Sequence, residues 1–297
     1  MAIGFTHRWP VANLATGIAL SPTVARHQCL WKGHKATILP NYFYSPANYY
    51  PLIGLSALEA TVVGALTHAM GQHGRHIDDH GSGGNYVRFP SISGQPSHMK
   101  LTPPMTLNMV FRFPTQTATN KAFLYVTDEK SAIGNYRGLM VWYDASNLWV
   151  GTADNTSALF NTGWTTANFG LTTVDAWLHV ILVIRDVGSD VDGWVNDGPI
   201  AGSVGYTAGQ TQSNGTVTHA NCGWQRAVAG ITTGYVDLHL WQSWNRALSS
   251  GEQQLLKVDP LAMLRPVRRV QAKSPIVSRV VTLGATVRRD GRVVLVG

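Results

Sequence analysis

Glutamate is nearly absent from this 297-residue chain, which has only Glu59, Glu129 and Glu252. Charged residues of all kinds make up 13%, about half the usual share. Cysteine is as scarce. Cys29 and Cys222 make neither a disulfide framework nor a metal-binding set, and a bridge between them or two free thiols are both open. No apolar run approaches the length of a membrane span. Residues 11–20 have the look of a signal-peptide core, but Pro10 and Asn13 interrupt it, so no targeting segment is expected. A nucleophile elbow, a phosphate-binding Gly loop and a supported Cys–His pair are all missing.

What is present suits a sheet protein. Hydrophobic residues reach 44%, with ten Trp, ten Tyr and eight Phe to fill a core. Thirty Gly, many Thr and Asn, and little Glu or Lys disfavour long helices and favour short strands joined by turns. The expected class is all-β.

The net charge of +7 sits at one end. From Lys257 onward there are nine Lys and Arg against two acids, Asp259 and Asp290, while the other residues hold fourteen bases and fourteen acids. A basic tail reads as a solvated arm or a docking segment. Apolar residues between the arginines argue against a simple polycationic arm, so nucleic acid is not expected as a partner.

Residues 1–50 carry four prolines (Pro10, Pro22, Pro40, Pro46) and an aromatic cluster at Tyr42, Phe43, Tyr44, Tyr49 and Tyr50. With little periodicity of their own, they read as an extended arm. Residues 57–70 are ambiguous between strand and helix. From about residue 86 the pattern is β. Met105, Leu107, Met109, Phe111 and Phe113 alternate with Thr106, Asn108, Val110 and Arg112, which places one apolar face on the core. Further runs cover residues 122–128, 138–144, 147–154, 176–186, 193–200 and 235–248, and Asn196-Asp197-Gly198 marks a tight hairpin turn. Strands without intervening helices predict an antiparallel sandwich. One helix is expected, opened by the capping box Ser249-Ser250-Gly251-Glu252 and ended at Asp259-Pro260. Beyond it, two apolar runs joined by Asp290-Gly291 predict a hairpin.

The stretch from Val236 to Pro266, with Trp244-Asn245-Arg246-Ala247-Leu248-Ser249 and Glu252, resembles the closing segment of concanavalin-A-like domains of the laminin-G and pentraxin type. Trp177-Leu178-His179-Val180 and the Asn196-Asp197-Gly198 turn agree with it. The resemblance implies an antiparallel jelly-roll sandwich over residues 51–266, between an extended N-terminal arm (1–50) and a basic β-hairpin tail (267–297). Asp-Pro followed by Leu264-Arg265-Pro266 and a basic β tail is similar to proteins encoded by phages and environmental genomes. That implies a virion subunit, either capsid decoration or a tail or fibre component.

Glycoside hydrolases of this fold place paired acids on one strand, and hydrolysis by that route needs two carboxyls across the scissile bond. No such pair exists here, so a non-enzymatic protein is expected. The densest polar cluster, His73 to His80, could bind a transition metal, but it reads rather as a solvated Gly/His loop before the strand at residue 86. Calcium, held by some members of the resembled family, needs several oxygen ligands. Asp78, Asp79, Asp154 and Asn155 form no recognisable motif for it, and no cofactor is expected. Asp190-Val191-Asp192, among Gly188, Ser189 and Gly193, reads as a loop. His179 reads as a hydrogen-bonded core residue. Trp149, Trp164 and Trp224 are candidates for stacking on sugar rings. The expected function is a structural or binding subunit of a phage particle, and the alternative is a secreted or surface carbohydrate-binding module. Expected partners are further copies of the chain and a capsid or tail protein, with surface glycans as a further partner and no membrane. Arg265, Arg268, Arg269, Arg279, Arg288, Arg289 and Arg292 are the candidate partner-binding residues.

Overall fold

The computed structural model describes residues 19–40, 49–51, 59–80, 86–89, 104–112, 120–126, 137–143, 147–154, 159–165, 176–185, 190–196, 198–203, 221–222, 232–233, 236–267, 284–287 and 293–296. Strands are numbered along the chain. One sheet has eight: β1 (His34–Ile38), β4 (Thr67–Gly71), β5 (Gly74–His80), β7 (Met105–Arg112), β12 (Trp177–Ile184), β13 (Asp190–Val195), β14 (Gly198–Ser203) and β17 (Val236–Trp244). Their order is β14-β13-β12-β7-β17-β5-β4, with β1 also on β17, and every pairing is antiparallel. The second sheet has nine: β2 (Tyr49–Pro51), β3 (Glu59–Val63), β6 (Tyr86–Arg88), β8 (Asn120–Val126), β9 (Arg137–Tyr143), β10 (Asn147–Asp154), β11 (Leu159–Thr165), β15 (Asn221–Cys222) and β16 (Thr232–Thr233). It runs β11-β10-β9-β8-β15-β6-β3-β2, and β16 is parallel to β8. Phe89, just after β6, meets Trp241 of β17 with ring centres 4.8 Å apart, linking the two sheets through fully buried rings. The protein is an all-β sandwich. Contacts divide the chain into two units, 1–267 and 268–297. In the second, β18 (Gly284–Val287) and β19 (Val293–Val296) form an antiparallel hairpin.

The central strands are buried on both faces. Alternation predicted one buried face for residues 105–113, yet Met105 through Phe111 are all buried. The reason is a third layer. Helix α1 (Ser250–Val258) and the 3-10 turn Ala262–Leu264 carry Leu256, Met263 and Leu264 into one cluster with Val110, Ile181, Leu240 and Trp244. Polar residues on that covered face bond to one another in a row. His179 donates from Nε2 to Asn108 Oδ1 (2.7 Å), Asn108 Nδ2 to Gln242 Oε1 (2.7 Å), and Gln242 Nε2 to Thr37 Oγ1 (3.1 Å). The hydroxyl of Thr37 lies 2.9 Å from His34 Nε2. This row crosses β12, β7, β17 and β1, and all its members are buried, as buried polar groups in a stable fold require. His179 is thus the hydrogen-bonded core residue that its strand position suggested.

Helix α1 has the capping box read from the sequence: Ser249 accepts from Glu252 N, and the Glu252 carboxylate accepts from Ser249 N. Burial pushes the Glu252 carboxyl up, but hydrogen bonds from Arg246 and Ser249 outweigh it and hold the group below its ordinary value. Arg246 closes the unit. It is bidentate to Glu252 (2.6 and 2.8 Å) and also donates to the carbonyls of Cys29 (3.0 Å) and Lys32 (2.6 Å). Charged hydrogen bonds of this kind contribute about 1.5–3 kcal/mol each. Much of the segment read as an arm therefore belongs to the sandwich. Ala19, Arg26 and Val24 pair by backbone with Leu264, Arg265 and Val267, and β1 extends the sheet along β17. Leu30 and Trp31 are buried, which gives an otherwise aperiodic stretch its place. Tyr42, Phe43 and Tyr44 lie outside the described residues. Among the described residues no helix is long and apolar enough to cross a membrane.

Candidate functional site

The segment read as a solvated Gly/His loop is a strand, and it carries the densest polar site. Gly71 pairs with Gly74, so Gln72 and His73 form a two-residue turn, and Gly74 adopts φ 100° there, a conformation that glycine supplies without steric cost. Strand β5 then runs beside β17, with Ile77 opposite Leu238. This pairing buries His73, His76 and Ile77 although the segment's composition is polar, which is why the loop reading failed. Asp190-Val191-Asp192 is likewise a strand, β13, and Asp192 pairs with Arg185 at 2.6 Å on the surface.

At the end of the eight-stranded sheet where β7 finishes and β12 begins, side chains converge on Trp177. The rings of His73, His76 and His239 lie 5.3, 5.2 and 6.1 Å from it, centre to centre, at interplanar angles of 89°, 79° and 80°. The Arg112 guanidinium sits 5.2 Å from the indole centre. Arg112 Nε donates to Asp237 Oδ2 at 2.8 Å, and Nη2 donates to the same oxygen. The Asp237 side chain is fully buried, whereas 26% of Arg112 is exposed. His76 Nε2 stands 3.8 Å from Asp237 Oδ2. Both nitrogens of that imidazole are buried with no hydrogen-bond partner. One ligand atom from each of His76, Asp78 and Asp237 can be chosen so that all lie within 4.8 Å of one another, the described group that could hold a metal ion.

Burial, reinforced by the neighbouring His76, pushes the His73 imidazole down to about 4. For His239 burial also dominates and brings it to about 4, although a hydrogen bond to the Arg75 carbonyl (3.2 Å) works the other way. The Gln72 amide donates to His73 Nε2 at 2.9 Å. These histidines are neutral at pH 7. The cluster offers an indole, a guanidinium and neutral imidazoles around a buried carboxylate, a set that can stack on, and hydrogen-bond to, a polar ligand.

Sequence reasoning reached His73, His76 and Asp78 but missed Asp237, His239, Arg112 and Trp177 as their partners. The available signal was the alternation of Asp237 and His239 with Val236, Leu238 and Leu240. Of the candidate partner-binding residues, Arg265 is bidentate to Asp259 (2.6 and 3.1 Å) beside the helix end. Arg268, Arg269, Arg279, Arg288, Arg289 and Arg292 lie outside the described residues. So do the side chains of Asp79, Asp154 and Asn155, offered for calcium, and of Trp149, Trp164 and Trp224, offered for sugar stacking. Cys29 is an exposed free thiol.

No family model and no curated protein matches the chain. Solved structures do. A mutant of Trypanosoma rangeli sialidase displaying trans-sialidase activity is similar over 86% of this chain and 36% of its own, at 16% identity and a TM-score of 0.53. A botulinum neurotoxin type C structure, described as depending on two ganglioside molecules for cell entry, is similar over 76% of this chain and 51% of its own (9% identity, TM-score 0.52). The binding domain of Paraclostridial Mosquitocidal Protein 1 is similar over 77% and 52% respectively (12%, 0.53). The chain thus spans about a third of the sialidases' length and about half of the other two. The expectation of a non-enzymatic protein is corrected by the sialidases and trans-sialidases among these structures. Its argument was the missing carboxylate pair, and sialidases, which use a Tyr nucleophile, are an exception to that two-carboxylate rule. At such identities the likeness concerns the fold alone, an all-β sandwich.

Proposed function

We propose that this sandwich is a carbohydrate-recognising module whose ligand seats at Trp177. The observation that carries this reading is the half-buried indole bordered by Arg112 and the three imidazoles of His73, His76 and His239. An amphipathic ring with hydrogen-bonding neighbours suits a ligand that is apolar on one face and polar at its rim. The ganglioside dependence of the neurotoxin and the sialidases among the solved structures point to sialylated glycans as the first class to test. On an array of sialylated and neutral glycans, the full chain is expected to retain a sialylated subset. Calorimetry with a retained glycan should show binding weakened at least ~10-fold by Trp177→Leu, the usual cost of losing a Trp anchor, with the circular dichroism spectrum kept. An empty array, or full affinity in the folded variant, overturns the reading. Release of free sialic acid in the same incubation replaces binding with catalysis as the function.

For the setting we propose a phage particle, in which the tail docks on another copy of the chain or on a capsid or tail protein. What supports it is the resemblance of the closing segment, together with the hairpin β18–β19, whose sheet has two strands. Two strands alone are marginally stable in water, and strand addition to a neighbour would satisfy their edges. Deleting residues 267–297 should abolish self-association or incorporation into particles. Unchanged assembly by the truncated chain rules out the tail as a docking element.

A further inference from the structure

We infer that His76, Asp78 and Asp237 form a binding site for a first-row divalent transition metal such as Zn²⁺ or Mn²⁺. Two of the three residues come from β5 and the third from β17, strands whose register places Ile77 opposite Leu238. His76 and Asp78, two apart on β5, share one face of the sheet. Ligand atoms of the three residues lie within 4.8 Å of one another, a span that a single ion at ~2.0–2.2 Å from each would close by about an ångström of side-chain movement.

The independent observation is His76. Its imidazole is 2% exposed and neither nitrogen has a hydrogen-bond partner, yet Nε2 is aimed at the Asp237 carboxylate from 3.8 Å. A buried polar group left without a partner is destabilising, and coordination to a metal removes that cost. Gly71 leaves room for the ring, since an added Cβ would sit 3.1 Å from His76 Cε1, and Trp177 packs against it at 5.2 Å between centres. Arg112, bonded to Asp237 Oδ2, orients that carboxylate in the manner of the outer-shell hydrogen bonds that accompany metal ligands. The same guanidinium lowers the affinity by its charge, but the two carboxylates together balance a divalent ion. One imidazole nitrogen with two carboxylates favours zinc or manganese over calcium, which prefers an all-oxygen shell of six to eight ligands.

The test is calorimetry of tag-free, EDTA-treated full chain with ZnCl₂, MnCl₂ and CaCl₂. One equivalent of zinc or manganese should bind, with calcium at least ~10-fold weaker. Asp78→Asn and His76→Asn should each lower the affinity by about 10–100-fold, whereas His27→Asn should leave it unchanged. Co²⁺ substitution gives a second readout: a d–d absorption band that His76→Asn shifts or abolishes. Asp78 is half-buried, so its variant keeps the test available if the His76 variant does not fold. Absence of stoichiometric binding overturns the site. So does tighter calcium binding, or binding unaffected by Asp78→Asn in a protein with unchanged circular dichroism.

Discussion

Acidification from pH 7 to pH 5 is expected to lower the unfolding free energy of the sandwich by several kcal/mol. His34 is the clearest contributor. Its ring is fully buried between Trp31 and Trp244, at 5.5 and 5.6 Å between centres, and burial drives its pKa from 6.5 down to about 3. In the unfolded chain the group titrates near 6.5. Between pH 6.5 and 3 the unfolded state therefore binds the extra proton, and stability falls as pH falls. At pH 5 this amounts to about 2 kcal/mol for His34. His73 and His239, both brought to about 4, act in the same direction from pH 6.5 downward, less than additively because the two rings are 6.0 Å apart. Urea unfolding at pH 7, 6 and 5 measures the slope. His34→Gln keeps a hydrogen-bonding side chain without the titration, and should flatten the profile by His34's share. A protein equally stable at pH 5 and 7, or a variant with the parent's slope, contradicts this account of the buried row.

Gly193→Ala is expected to cost roughly 3–5 kcal/mol, a large part of the stability of an ordinary domain. Gly193 lies inside β13, opposite Leu182, with φ 136°. A Cβ there would stand 1.8 Å from the Ile181 carbonyl oxygen, and that oxygen belongs to a central strand that cannot retreat without breaking the ladder to β7. Both the backbone conformation and the space exclude a side chain. Gly251→Ala is the control. Nothing lies within 4 Å of a Cβ at that helical position, so the change should stabilise by about 0.5–1 kcal/mol through helix propensity. Thermal melts of the two variants separate the cases, and a soluble Gly193→Ala protein melting with the parent would show that β13 can shift to admit the methyl group.

Gly193 also shows why part of this structure was hidden in the sequence. Glycine among aspartates reads as a turn, because local propensity carries no knowledge of a neighbouring strand passing so close. The same limit explains β5. Its Gly, His and Asp are turn formers when considered locally, and the strand forms because β17 supplies the ladder that their propensity lacks. What was legible was local in its physics: the strand Met105–Arg112, the turn at Asn196 with φ 51°, and the reciprocal hydrogen bonds of Ser249 and Glu252.

By itself, then, the sequence determined the all-β class, the helix Ser250–Val258 with its capping box and the hairpin turn at Asn196, since each depends on residues within a few positions of one another. Only the tertiary structure decided that residues 19–38 close the sandwich rather than leave it, that a helical layer buries the second face of the central strands, and that Asp237 joins His76 across 161 positions of chain. Those outcomes rest on register between distant strands and on the burial that follows from it. Neither is a property of any local stretch of residues.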